Sequence, residues 1–327
     1  MSAKTPAFYR DWYLWGMILA VVLASLFPDV GRSGGVLHAD KLVDYGIAAV
    51  FFLHGMGIPG ERLREGMTRW RLHLLVQSVT FVAFPVVGVL LYFTVGNWLP
   101  PYLALGFFYL CALPSTISSS VAMTGMARGN VPAAIFNATL SGLIGILLTP
   151  LLVSLISSTS GATLSLRESI VDISLLLLLP FVIGQLLHPL LGGWFSRYKP
   201  ITGLFDKVVI LLLVFASFCD SVAAGLWRDY GAGILLATLG LTALMVLVTF
   251  ALTRRAARRL GLPVEDEIVA VFCGSKKSMA SGVPMAKVLF GSHPGLGLIV
   301  LPIMFYHQLQ LILASVLAAR YAARTTD

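Results

Sequence analysis

The sequence predicts an all-α polytopic membrane protein: ten transmembrane helices as two inverted five-helix repeats, residues 1–160 and 161–327. Three observations carry this reading. The 327 residues are 57% hydrophobic and 12% charged, with a mean hydropathy of +0.88, whereas soluble domains carry about 25% charged residues. Ten apolar stretches approach or exceed the roughly 20 residues that cross a bilayer. The two halves of the chain also match each other at a fixed offset.

The spans fall at 12–27, 42–58, 71–95, 102–126, 131–157, 169–188, 203–224, 231–253, 265–290 and 296–319. The first has the length of a signal-peptide core. No clear small-residue cleavage site follows, and "FPDVGRSGG" continues as a loop, so it reads as a retained span. Connections are short and leave no room for a soluble domain. The charged stretch Gly60–Trp70, "GERLREGMTRW", reads as a connector at the membrane surface. With the N-terminus placed inside, 15 Lys and Arg lie on the cytoplasmic side, 4 outside and 4 within or at the edge of spans, from the 23 in the chain. This bias fits an even number of spans with both termini cytoplasmic, in a bacterial inner membrane.

Composition also excludes functions. The pI near 9.6 does not indicate nucleic-acid binding, because the basic residues sit at the ends of apolar segments. Cys111, Cys219 and Cys273 lie inside apolar segments without metal-ligand spacing. No GxxxxGK[ST] loop is present for a nucleotide-driven pump.

An offset of 162 places Cys111 on Cys273, Ser119 on Ser281, Val121 on Val283, Met123 on Met285 and Gly129 on Gly291. An offset of 161 sets Pro28 on Pro189 and Gly31 on Gly192. With five spans per copy, an odd number, the second copy is inverted, as in many secondary transporters.

The offset pairs span 4 with span 9, and both look interrupted. Span 4 carries "LPSTISSSVAMTG", in which Pro114 disrupts a helix. Ser115, Thr116, Ser118, Ser119 and Ser120 then offer hydroxyls to freed backbone groups. Span 9 carries Gly274, Ser275, Ser278, Ser281, Gly282 and Pro284. Paired Gly/Pro-interrupted spans are the best sequence pointer to a transporter's binding site; two Pro-kinked, well-packed helices are the plainer alternative. Lys276 and Lys277 separate the two, since a kink does not explain them. Each lysine at a bilayer centre costs about 2.5–3.5 kcal/mol on insertion scales. A broken helix exposes carbonyls at its C-terminal end, worth roughly half a negative charge, and an ammonium can meet them. Adjacent lysines on a helix point about 100° apart, so their roles can differ.

The chain resembles the bile acid:sodium symporter family, in its bacterial symporter-like branch. "FFLHGMGIPGERLREG", "ARGNVPAAIFNATLSGLIGILLTPLL", "FCGSKKSMASGVPMAKVLF" and "YHQLQLILASVL" carry the resemblance, which covers nearly the whole chain. It implies a panel domain of spans 1, 2, 6 and 7 and a core domain of spans 3–5 and 8–10. It implies that spans 4 and 9 unwind and cross in the core, and that core moves against panel around an organic anion. Carried over on the Gly274 match, the family's acidic sodium ligand falls at Phe272 or Cys273 and its glutamine at Lys276. The Ser-Asn pair of span 4 falls at Ser119 and Ser120, a candidate sodium position. Two hydroxyl positions in span 5 fall at Ala134 and Ala138, beside Asn137 and Thr139, and a ligand glutamine falls at Gln77. Sodium ligands are thus replaced and two cations added, which makes a lysine a tethered substitute for sodium. A lysine there can also release its proton, making sodium or a proton the candidate coupling ion. Alternatively, a lysine binds the substrate's anionic group.

Other polar residues are weighed singly. His54 is a panel-side cavity candidate or a hydrogen-bonded buried histidine. Asp220 is a proton or lysine partner, or a solvated residue at the outer mouth. Asp44 and Asp172 read as capping or solvated, and Asp206 and Lys207 as lying near the cytoplasmic edge. His307 and Gln310 share a helix face and reach the crossing, with His307 accepting from a lysine, or they simply bond between helices. Glu265, Asp266 and Glu267 suit a helix N-terminus. The leading function is secondary transport of an organic anion, with no cofactor and the lipid bilayer as surroundings. Two readings compete: a membrane-embedded Ser–Lys hydrolase using Ser275 or Ser278, and a non-transporting membrane regulator.

Overall fold

The computed structural model describes residues 12–57, 65–159, 171–223, 225, 231–291 and 294–324. The first part of the surface connector and the boundary at 160/161 lie outside these. The described residues are helical with no strand. The helices are α1 (Trp12–Leu26), α2 (Pro28–Gly31), α3 (Ala39–Met56), α4 (Trp70–Thr94), α5 (Pro101–Ala112), α6 (Ser118–Met126), α7 (Val131–Thr159), α8 (Val171–Phe195), α9 (Ile201–Ala223), α10 (Ala232–Arg259), α11 (Val264–Gly274), α12 (Met279–Phe290) and α13 (Leu296–Ala322). Among the described residues, α4, α7, α8, α9, α10 and α13 contain segments long and apolar enough to cross a membrane. Segments Trp15–Leu26 and Pro101–Ala112 are shorter apolar helices. The chain is therefore a multi-pass membrane protein.

Helical structure continues from α8 through residues 196–200 into α9. A straight rod of that length would run on the order of 80 Å at 1.5 Å per residue. Instead it folds back around α3. An added Cβ at Gly55 would collide with the Phe181 carbonyl of α8, while neighbouring His54 pairs with Asp206 of α9 at 3.5 Å. Gly184 faces the Phe52 carbonyl as closely. Glycines at both points let the backbones touch, which is how membrane helices gain packing without a hydrophobic drive.

The second group of helices encloses the interruptions. Span 4 is α5 and α6, broken over 113–117, and span 9 is α11 and α12, broken over 275–278. Adding 162 to 113–116 gives 275–278, so the breaks coincide under the sequence offset. The segments that lead into the two breaks, Leu103–Leu113 and Ile268–Cys273, lie almost entirely out of solvent. Pro284 and Gly282, expected in the irregular stretch, sit inside α12. A proline removes one N–H, and neighbouring groups in a packed bundle accommodate that loss; Pro150 and Pro302 are likewise inside helices. At the far end of α11, Glu267 accepts from Arg254 (3.2 Å), Arg258 (3.0 Å) and Tyr321 (2.6 Å), and Asp266 accepts from Asn130 at 2.9 Å. These acids therefore hold α7, α10, α11 and α13 together, beyond the dipole role read from sequence.

Candidate functional site

The two breaks cross each other through hydrogen bonds. The Ser278 N–H donates to the Pro114 carbonyl at 2.9 Å. Tyr109 of α5 donates to the Gly282 carbonyl at 2.5 Å, and Tyr306 of α13 to the Ser275 carbonyl at 2.7 Å.

Lys277 is completely buried. Its Nζ donates to three carbonyls: Leu113 at 2.7 Å, Cys111 at 2.8 Å and Thr80 at 2.9 Å. It also lies 4.1 Å from the Phe84 ring centre. Two of these carbonyls are the open C-terminal end of α5. The third has a local cause. Residues Val79–Ala83 form a π-helical turn in which the Phe84 N–H bonds to Val79. In that register the Thr80 carbonyl would take the N–H of residue 85, which is proline and has none. An ammonium has three N–H donors, and all three are used. Charge-assisted hydrogen bonds contribute about 1.5–3 kcal/mol each, enough together to offset the roughly 2.5–3.5 kcal/mol insertion cost of a lysine. Gln310 fixes the lysine's backbone from both sides: its Oε1 accepts from the Lys277 N–H at 2.8 Å and its Nε2 donates to the Lys277 carbonyl at 2.9 Å.

Lys276 is also fully buried but more thinly held. Its Nζ donates to the Ser119 carbonyl at 3.1 Å and meets Ser119 Oγ at 3.4 Å, with the Phe272 ring 5.5 Å away. Both lysines occupy the non-helical link, so the 100° rule for helices does not govern them. The opposite carbonyl end, that of α11, is met by hydroxyls: Ser115 donates to Cys273 at 2.5 Å and Ser120 to Phe272 at 2.9 Å, while Ser275 bonds to Val271. Thr116 joins Ser119 and Ser120 at 2.8 and 2.7 Å. Gly274 ends α11, with its Cα hydrogen side close to Thr253 of α10.

A cavity of about 370 Å³ adjoins the crossing. The N-terminal ends of α6 and α12 border it, through Ser118, Ser119, Met279 and Ala280, as do Thr116 and Ser278. Across it stand Tyr13, His54, Asp206 and Lys207, with His307 also in the wall. Lys207 Nζ lies 5.3 and 5.6 Å from the ring centres of Trp12 and Tyr13.

Sequence expectations meet this geometry unevenly. His54 lines the cavity and also lies 3.5 Å from Asp206. Asp206 and Lys207, read as edge residues, are in its wall too; the acid–base pair inside an apolar span was the available signal. Asp220 accepts from the Ser33 N–H (2.7 Å) and Ser33 Oγ (3.0 Å), holding the loop after α2. The His307 Nδ1 meets the Gln310 Nε2 at 3.1 Å. Gln77 and Asn137 meet each other, Gln77 Nε2 donating to the Asn137 carbonyl at 3.2 Å, while Gln77 Oε1 is buried without a hydrogen-bond partner among the described residues. Thr80, Phe84, Tyr109 and Tyr306 were missed, since nothing in their own spans marks them as facing the crossing. For the hydrolase reading, neither Ser275 nor Ser278 bonds to a lysine nitrogen: Ser278 Oγ accepts from the Ser281 N–H at 3.1 Å.

Two buried lysines and two broken helices beside a cavity with charged side chains in its wall are compatible with an integral membrane transport protein. The chain belongs to the SBF-like CPA transporter family, whose pattern it matches over residues 11–323. It is similar to an uncharacterised protein of Pseudomonas aeruginosa, 45% identical over 98% of this chain and 96% of that one. It is 43% identical to the putative symporter YfeH of Escherichia coli, over 94% and 92%. It is 30% identical to the sodium/bile acid cotransporter 7-B of Xenopus laevis, over 94% and 90%. The membership agrees with the resemblance carried by "FCGSKKSMASGVPM" and makes the chain a transporter and not an enzyme.

Proposed function

We propose that the chain is a secondary transporter of a small organic anion, working by alternating access, with Lys277 as a built-in cation where a coupling sodium ion would otherwise sit. The observation that carries this is the Lys277 ammonium saturated by the carbonyls of Thr80, Cys111 and Leu113. A sodium ion beside it would meet a fixed like charge, and like charges disfavour each other at close range. Ser119 and Ser120, the remaining candidate sodium position, have hydroxyls engaged with Thr116 and Phe272. The coupling ion in this reading is a proton, or none. The names of the relatives speak of symport, sodium and bile acid. Transport of a small solute transfers to this chain; sodium and bile acid do not follow from these residues.

The anion reading rests on the cavity. Helix N-termini carry partial positive charge, and those of α6 and α12 border it, opposite Lys207. The ten-span inverted repeat, with α1, α3, α8 and α9 as panel, is supported by the coincidence of the two breaks under one offset. In this arrangement both termini are cytoplasmic and the membrane is the bacterial inner membrane.

The test is thermal stability of the purified protein against carboxylates and sulfonates of increasing size. The expected result is a saturable rise for at least one anion, weakened in Lys207→Gln. Stabilisation by neutral or cationic solutes alone would overturn the anion assignment.

A further inference from the structure

A second cavity, of about 760 Å³, is a groove between α4 and α10 that shares no lining residue with the 370 Å³ cavity. Its walls are apolar stripes at four-residue spacing: Ala83, Val87 and Leu91 on α4, and Leu244, Val248 and Leu252 on α10. Such spacing keeps each stripe on one helix face. Leu244, Val248 and Leu252 are 57%, 41% and 53% exposed, which in a membrane means exposed to lipid. From Leu241 to Leu252 the apolar stretch follows α10 for roughly 17 Å at 1.5 Å per residue, about half the hydrocarbon layer and so the depth of one leaflet's acyl chain.

One end of this slot is charged. Four arginines crowd the end of α10, and they divide by helix face. Arg254 and Arg258 turn to Glu267. Arg255 and Arg259, four residues apart, line the groove instead. Both are exposed, and neither forms a salt bridge with a described residue. Paired guanidinium groups fit a phosphate by parallel N–H···O bonds.

We propose that this groove binds an anionic phospholipid, with an acyl chain between α4 and α10 and its phosphate held by Arg255 and Arg259. The occupant is a lipid because apolar length and a phosphate-binding end lie in one continuous slot at membrane scale. The groove also backs onto the crossing. Its wall includes Phe84, which lies under Lys277, and Thr249, which meets Tyr306 at 3.1 Å. Lipid seated there braces the helices that hold the buried lysine.

The experiment measures Tm of the full chain in nanodiscs of phosphatidylcholine, and of an equal mixture of phosphatidylcholine and phosphatidylglycerol. The expected result is a rise in Tm of a few degrees with phosphatidylglycerol. The rise is lost in the double variant Arg255→Gln, Arg259→Gln and kept in Arg320→Gln, a control at the end of α13. Val248→Trp fills the slot without changing charge and also removes the rise. The proposal is overturned by no rise in the wild type, by equal loss in Arg320→Gln, or by a rise that survives Val248→Trp. The same rise from inorganic phosphate in phosphatidylcholine discs would show a headgroup-only anion site and overturn it too.

Discussion

The two broken helices end in the same way and are closed differently. At the end of α5, the carbonyls of Cys111 and Leu113 receive a full positive charge from Lys277. At the end of α11, those of Phe272 and Cys273 receive neutral hydroxyls from Ser120 and Ser115, carried by the opposite break. Matching backbone interruptions thus do not require matching chemistry. Hydroxyls suffice where each carbonyl has its own donor nearby. The α5 end has an additional carbonyl, Thr80, released by the π turn and Pro85 on a third helix, and three acceptors converge on one point. One ammonium satisfies all three where separate hydroxyls would need three side chains in the same space.

This contrast sets the size of the expected effects. Lys277→Met leaves three buried carbonyls unpaired, and an orphaned buried polar group costs about 1–3 kcal/mol. A loss of several kcal/mol is expected, seen as a large drop in Tm or in monodisperse yield. A drop no greater than that of the hydroxyl variants below would erase the distinction between the two ends. Tyr306→Phe removes the donor to the Ser275 carbonyl and should cost about 1–2 kcal/mol by the same reasoning. Ser120→Ala leaves the Phe272 carbonyl without its side-chain donor, at about 1 kcal/mol for one neutral bond; denaturation midpoints of the two variants can be ranked against Lys277→Met. Lys276→Met should change stability least. Among the described residues its ammonium hydrogen-bonds to Ser119 only, and replacing a poorly compensated buried charge by an apolar chain is often neutral. The same variant should weaken anion-dependent stabilisation, because Ser119, the residue that holds Lys276, lines the cavity. Unchanged anion response in Lys276→Met would confine that lysine to a structural role.

The breaks themselves were legible in the sequence. Pro114 and Gly274 are helix-breaking residues within two positions of each other under the 162-residue offset, and two lysines in an apolar run mark a place where backbone or solvent must compensate. The partners were less legible. Thr80 is an unremarkable threonine in an apolar span; its carbonyl becomes an acceptor through a hydrogen-bond register that periodicity does not encode. Lys207 and Asp206 reach the cavity because α8 and α9 fold back around α3, a tertiary fact. Asp220 illustrates the opposite case. Its loop partner Ser33 lies 187 residues away, so an acid in an apolar span invited a functional reading that a structural bond explains.

The central claim is that Lys277 takes the place of a coupling sodium ion. A ligand that binds only the folded state raises stability as its concentration passes its dissociation constant. The most direct measurement is therefore the Tm of the wild-type protein as sodium replaces choline at constant ionic strength. The account predicts a flat response. A saturable, sodium-specific rise in Tm would contradict it, by showing that the crossing binds sodium with its lysines in place.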